Sequence, residues 1–549
     1  MFEMRKFFIL MAFVLGMKAQ ACTNIIVAKN ASADGSVMVS YNADSYGAYG
    51  VMYRHVGGKH QAGEMRKIYE WDTGKYLGEI PQAEVTYNVV GQMNEHQVTV
   101  CETTFGGREE LADSTGLIDY GSLIYIALER SKTAREAIEV MTSLVAKYGY
   151  YSEGETFSIA DKNEVWVMEM MGKGPGGHGA VWVAVRIPDD CICCHANQSR
   201  ITRFDMKDKK NVLYSKDVVK FAREKGFFNG KDADFSFRDA YAPMDFSGAR
   251  YCEARVWSFF NHWVDGMDKY LDVAMGKNNK GEMPLYFVPK AKLTVADVEN
   301  GMRDHYEGTP LDINHDLGAG PYNMPYRPTP LSFTSDGKKY FNERPISTQQ
   351  TSFAFVGQMR DYLPDAIGGV VWWGNDDANM VAYTPVYCSV NEIPTCYTAI
   401  KGQQDALTFS WNSAFWVCNL VANMVYPYYS KMMPDLQKVR DKLENGYFSR
   451  QKEVEAEAKR LYDNDPASAK TYLTDYSLKS ADYMMESWKN LFTYITVKHN
   501  DMCIKSEGDG KFLENGHGQA AFPIRPGYPE YYRQQITKQT GDRYLIPEE

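Results

Sequence analysis

The segment that most constrains this chain is its first 22 residues. Arg5-Lys6 open it with positive charge, residues 7–17 form an apolar run, and Ala19-Gln20-Ala21 put small side chains at the third and first positions before Cys22. This is the layout of a secretory signal and its cleavage site. The run is too short to span a bilayer, which takes about 20 apolar residues, and no later stretch reaches that length without charges. Residues 1–21 are therefore expected to be removed from an exported chain, periplasmic or secreted. The part that folds then begins at Cys22.

A cysteine at a new amino terminus has unusual chemistry. A thiol of pKa about 8.5 is mostly protonated at neutral pH, whereas the thiolate is the nucleophile. An α-amine of pKa about 7.7–8.0 on the same residue is able to take that proton. One residue then supplies both nucleophile and base, a variant of triad logic. Two blander readings of Cys22 stand beside this one. One is a lipid anchor on a peptide- or glycan-binding protein, although such sites usually carry Leu where this chain has Ala19. The other is an ordinary structural cysteine.

At 549 residues the chain exceeds the roughly 250–300 at which one core stops growing, and 44% hydrophobic residues are enough to fill a large one. A net charge of −10 argues against nucleic acid or an anionic membrane as the main partner. Ten cysteines are sparse for this length, so disulfides are expected only as local staples. Cys388 and Cys396, flanking a turn-like stretch, are the expected pair.

Up to about residue 425 the pattern mixes strands and helices. Residues 23–28 and 37–41 read as strands around a turn at Ala33-Asp34-Gly35. Residues 164–171 and 180–187 read as an antiparallel pair joined by a glycine-rich loop. Between these sets lies a helical block, 122–148, with Thr133 and Glu136 as a capping box and Gly149 as its stop. A late strand pair is expected over 367–373 and 380–387. Strands, then helices, then strands again fit an α+β layering of antiparallel sheet with helices. Segments 434–443, 451–462 and 466–498 read as a helical addition (426–507) broken at Asn-Gly and Asp-Pro, and 508–549 as an irregular tail packed on the body.

The motifs arrive in a specific order. Cys22-Thr23-Asn24-Ile25-Ile26-Val27-Ala28-Lys29 is followed by Ala31-Ser32-Ala33-Asp34-Gly35-Ser36, Asn42-Ala43-Asp44, Met93-Asn94-Glu95-His96 and Ala196-Asn197-Gln198-Ser199-Arg200-Ile201. Then come Ala254-Arg255-Val256-Trp257, Arg303-Asp304-His305-Tyr306-Glu307-Gly308-Thr309-Pro310 and Glu343-Arg344-Pro345-Ile346-Ser347. This series, spanning about 22–387, resembles the cysteine dipeptidases of the N-terminal nucleophile (Ntn) hydrolases, dipeptidase A type, relatives of bile-salt hydrolase and penicillin V acylase.

The resemblance implies a four-layer αββα sandwich over 22–425 that hydrolyses short peptides, most plausibly dipeptides with a free amino terminus, without a cofactor or metal. An amidase for N-acyl amino compounds is the rival with the same chemistry. The resemblance also implies roles: Asp44 orients the Cys22 amine, Asn197 and the main chain around Asn94 hold the oxyanion, and Arg255 (or its neighbour Arg250) stands near the nucleophile. Tyr41, Asn42 and Arg250 are the expected substrate contacts. Tyr41 is a departure, because the acylase relatives carry Arg there, and a tyrosine supplies no permanent charge. Cys191, Cys193, Cys194 and His195 lack the paired Cys-x₂-Cys spacing of a zinc module, and a papain-like Cys–His pair using His195 lacks its local signature.

Overall fold

The computed structural model describes residues 22–548, so the expected signal segment 1–21 lies outside the described residues. Its main strands are β1 (Asn24–Val27), β2 (Val37–Asp44), β3 (Thr99–Gly106), β4 (Gly154–Ala160), β5 (Val165–Gly172), β6 (Ala180–Arg186), β7 (Ile192–His195), β8 (Thr351–Met359), β9 (Val370–Asn375) and β10 (Thr384–Tyr387). One sheet runs β7-β1-β2-β8-β9-β10, with Tyr286–Phe287 beside β7. The other runs β6-β5-β4-β3, extended by Val212–Tyr214 at one edge and by Met93–Asn94, Val89–Val90 and Arg54–His55 at the other. Every pairing is antiparallel.

The two sheets stack face to face. Polar side chains bridge them: Asn24 meets Ser158 Oγ at 3.1 Å, and Tyr41 Oη donates to Glu102 Oε1 at 2.5 Å. Strands β2, β4, β5 and β8 are buried at every residue. Burial on both faces explains why β5 reads as a near-continuous apolar run rather than an alternating one.

Helices α1 (Tyr120–Arg130) and α2 (Ala134–Tyr148) cover the outer face of the second sheet with their own core, in which Ala137, Ile138, Met141, Leu144 and Val145 follow helical spacing. The expected block 122–148 is thus two helices. Thr133 caps α2 by accepting from Glu136 N at 3.2 Å, but the Glu136 carboxylate turns to Lys132 N at 2.7 Å, so the capping box is incomplete. Gly149 ends α2 at φ 81°.

On the first sheet's side lie α3 (Ala254–Trp263), α4 (Ala414–Val425), α5 (Tyr429–Asn464) and α6 (Pro466–Lys498). Asp465 caps α6, with Pro466 at its first position, so the expected Asp-Pro break is real. The expected Asn-Gly break is not: α5 continues through Asn445-Gly446. Glycine inside a helix costs only about 1 kcal/mol, and Leu443, Glu444 and Tyr447 on either side are buried against the body. The helical addition therefore shares the main hydrophobic core, with Leu436, Trp488 and Leu491 in it.

The late strand pair begins later than expected, because 365–368 form a short helical turn ahead of β9. The tail is less irregular than expected and carries the helix α7 (Glu530–Thr540), which has no buried residue. All ten cysteines are unpaired, including Cys388 and Cys396; the Cys388 thiol instead donates to Asp365 O at 3.5 Å. No helix among the described residues is long and apolar enough to cross a membrane.

Candidate active site

Cys22 stands immediately ahead of β1, where the backbone of β2 clamps it. Thr23 N donates to Asn42 O at 3.3 Å, and Asn42 N donates back to Thr23 O at 3.0 Å. That register brings the end of β2, Asp44, beside the thiol. In β8, Thr351 lies opposite Asp44 and donates its hydroxyl to Oδ1 at 2.6 Å, while Arg344 forms a buried ion pair with Oδ2. Burial pushes the Asp44 carboxyl above its ordinary range, and Arg344 and Thr351 cancel only part of that shift.

Across the gap between the sheets, β3 aims Glu102 at the same sulfur. Cys22 Sγ is 3.4 Å from Tyr41 Oη and 3.6 Å from Glu102 Oε1. Burial, then the charges of Glu102 and Asp44, push the Cys22 thiol well up. A free thiolate is disfavoured here. Glu155 is a second buried carboxyl beside Glu102, and the charge of each disfavours ionisation of the other. Burial raises Glu102 to about 7 and Glu155 well up.

Arg255 follows a π-helical turn, Gly248–Glu253, at the start of α3, a local irregularity often found at functional sites. Its guanidinium collects the site: Nη1 donates to Cys22 O and Thr23 Oγ1, each at 2.6 Å, and Nη2 to Asn197 Oδ1 at 2.9 Å. Asn197, just past β7, donates its amide to Thr104 O at 2.8 Å. Arg250 lies elsewhere, paired with Glu343 and donating to Ala274 O at 3.3 Å, so of the two arginines it is Arg255 that touches Cys22.

Before this group opens a cleft of about 320 Å³ with Cys22, Tyr41 and Asp44 in its wall and mainly aromatic sides, among them Tyr53, Trp71, Tyr120 and Phe353. Of the expected residues, Asn197, Arg255, Arg250, Asn42 and Asn94 are not among those that line it. Asn42 sits on the opposite face of β2 from Tyr41, where its amide donates to Met302 O at 3.2 Å and Ile346 O at 3.4 Å. Asn94 is consumed by folding: its side chain donates to Leu128 O and Ser131 O at 2.7 and 2.8 Å, and its N–H to Val98 O at 2.9 Å. It offers no second oxyanion donor. His195 is a core residue between Thr103 Oγ1 and Ser158 Oγ at 2.8 and 2.6 Å, and burial lowers it to about 3, so it is neutral and makes no pair with Cys22. Sequence reasoning missed Glu102, Thr351 and the role of Arg344. An available signal was the position of Arg344 inside the quoted Glu-Arg-Pro-Ile-Ser motif.

The model of peptidase family C69 matches residues 21–442. The chain belongs to peptidase family C69. Similar curated proteins include a probable dipeptidase of Salmonella dublin, 28% identical over 70% of this chain and 85% of the relative, and one of Latilactobacillus sakei, 27% identical over 75% and 82%. Dipeptidase A of Lactobacillus helveticus is 24% identical over 74% of this chain and 82% of its own. The family match starts one residue before Cys22 and ends inside α5, leaving α6 and the tail outside it.

Glu102 gives this C69 peptidase a testable pH signature. Its folded carboxyl titrates near 7, above the ordinary value of 4.5. Between those values the unfolded chain has already lost the proton that the folded one keeps, so rising pH through this window favours unfolding. Glu102→Gln removes the titration. In urea unfolding at pH 5 and pH 8, the stability of the variant relative to the wild type is expected to rise with pH; a constant difference would place the Glu102 proton elsewhere.

Proposed function

We propose that this C69 peptidase is an exported cysteine dipeptidase whose nucleophile is Cys22, first residue of the mature chain, on the four-layer αββα sandwich of the Ntn hydrolases. The observation that carries the reading is the placement of Cys22 itself: a buried thiol at the head of β1, on the wall of the aromatic cleft, with Asp44, Arg255 and Asn197 gathered round it. The dipeptidase names of the relatives support the substrate class.

In this scheme removal of residues 1–21 frees the α-amine of Cys22. Asp44, fixed by Arg344 and Thr351, orients that amine by accepting a hydrogen bond from its N–H. The amine takes the thiol proton as sulfur attacks the scissile carbonyl, and the same proton then goes to the departing amine. Asn197, its amide plane set by Arg255 and Thr104, is the oxyanion donor, a contribution of about 2.7–4 kcal/mol when such a donor is lost. Arg255 also pins the Cys22 carbonyl, which keeps the terminal residue from swinging out. Water then releases the acyl group from sulfur.

The test is intact-mass analysis of protein that hydrolyses dipeptides. A mass beginning at an unmodified Cys22 is expected. Active protein that keeps Ala21 in peptide linkage, or carries a diacylglycerol on Cys22, would sink the proposal.

A further inference from the structure

The charge of the cleft is one-sided. Asp44 and Asp72 are its two carboxylates, and no Lys, Arg or His stands among the described residues that line it. Asp44 is committed to Arg344 and Thr351. Asp72 has no part in the scheme above.

The placement of Asp72 is built, not incidental. It lies in the turn between strands Met65–Tyr69 and Tyr76–Pro81, and that turn is tied to the start of α1. Trp71 N donates to Asp119 Oδ2 at 2.9 Å, and Asp119 is the residue that caps α1 through Ser122 N. The Trp71 ring stacks on Tyr125 with centroids 5.2 Å apart and meets Tyr53 at 4.8 Å. Gly121 is required by this packing, since a Cβ there would come 2.5 Å from Trp71 Cβ. Tyr120 Oη then donates to Asp72 Oδ1 at 3.1 Å. The carboxylate is thus held by a helix start and an aromatic stack while its side chain stays exposed at the cleft.

A dipeptide at neutral pH has an ammonium at one end and a carboxylate at the other. Carboxylate and aromatic faces favour the first, and the lining has no cation to meet the second. We propose that Asp72 binds the free α-ammonium of the substrate's first residue, and that the cleft leaves the substrate's carboxyl end unrecognised. This rests on the reading of Cys22 as the nucleophile of a dipeptidase. It makes the enzyme an amino-end reader: an N-acyl group removes the charge that Asp72 needs, whereas amidation of the far end changes nothing that the cleft contacts.

Binding rather than turnover tests it. Leucyl-leucine, leucyl-leucinamide and N-acetyl-leucyl-leucine are titrated by calorimetry at pH 7 into Cys22→Ala and into Cys22→Ala/Asp72→Asn. With Asp72 present, the first two are expected to bind with similar affinity and the acetylated peptide at least tenfold more weakly. Asp72→Asn, which keeps an acceptor for Tyr120, is expected to weaken both amines about tenfold or more. Binding of the acetylated peptide should not change, which also reports an intact cleft.

Equal binding of free and acetylated peptide, unchanged amine binding in the Asp72→Asn protein, a loss on amidation as large as that on acetylation, or no binding of any of the three overturns the assignment. Wild-type protein that fails to hydrolyse leucyl-leucine while the expected binding pattern holds removes the nucleophile reading and leaves Asp72 in place.

Discussion

Cys22→Ala is expected to lower kcat/KM for dipeptides by about 10⁴-fold or more while leaving the fold intact. The size follows from the proposed chemistry: on that scheme no acyl-enzyme forms without sulfur, and losing a nucleophile that acts as a unit with its base removes most of the rate enhancement. The fold is expected to survive because the sulfur's contacts to Tyr41 Oη and Glu102 Oε1 are long, 3.4 and 3.6 Å, and alanine fits the same position. Thermal unfolding within a few degrees of the wild type shows that the loss is chemical. Cys22→Ser is the sharper variant. Its hydroxyl keeps the contacts but is far harder to deprotonate in a site that already disfavours the thiolate, so it too should be nearly inactive. Retention of more than about a hundredth of wild-type activity by the alanine variant would assign the nucleophile elsewhere.

The clustering of Cys22, Asp44, Asn197 and Arg255 could be anticipated because each belongs to a motif, and the sheet and the helix α3 bring those motifs together. Cys22 heads β1, Asp44 ends β2, Asn197 follows β7, and β1 pairs with both strands. Period-two alternation separates Tyr41 from Asn42, and applied to β2 it would have turned Asn42 away from the cleft before any coordinates. Glu102 and Asp72 were not legible in the same way. Glu102 acts across the gap between two sheets, and local sequence does not say which residue of one sheet faces which of the other. Asp72 reads as one more turn aspartate until Asp119, Gly121 and Trp71 fix where that turn lies.

The same limit explains the fold's surprises. The hairpin of β5 and β6 and the caps of α2 and α6 are local matters, and they were visible. That Gly446 stays helical depends on tertiary burial of Leu443 and Tyr447, which propensity alone does not contain.

Arg344→Met is expected to be the most destabilising single change at the site, by about 3–5 kcal/mol at pH 7, because it leaves a buried carboxylate without its cation. Asp44 is almost wholly buried, and after the change the Thr351 hydroxyl and the more distant charge of Arg255 are what remains in the protein to offset its charge. Burial already holds this carboxyl above its ordinary pKa with Arg344 present. Without the arginine its folded pKa rises further, so at neutral pH the folded state must either keep an uncompensated charge or take up a proton that the unfolded state has released. Both costs vanish once the unfolded carboxyl is itself protonated. The destabilisation should therefore shrink as pH falls toward about 4 and grow as pH rises above it. Asp44→Asn/Arg344→Met removes both charges and should recover much of the stability at pH 7, though no activity, since on the proposed scheme the amine of Cys22 then has no carboxylate to orient it. Urea unfolding of the two variants at pH 4.5 and pH 7 separates the cases. A loss in Arg344→Met that is independent of pH, or a double variant no more stable than the single one, would mean that Arg344 stabilises the site through its packing and its bond to Pro345 O rather than through Asp44.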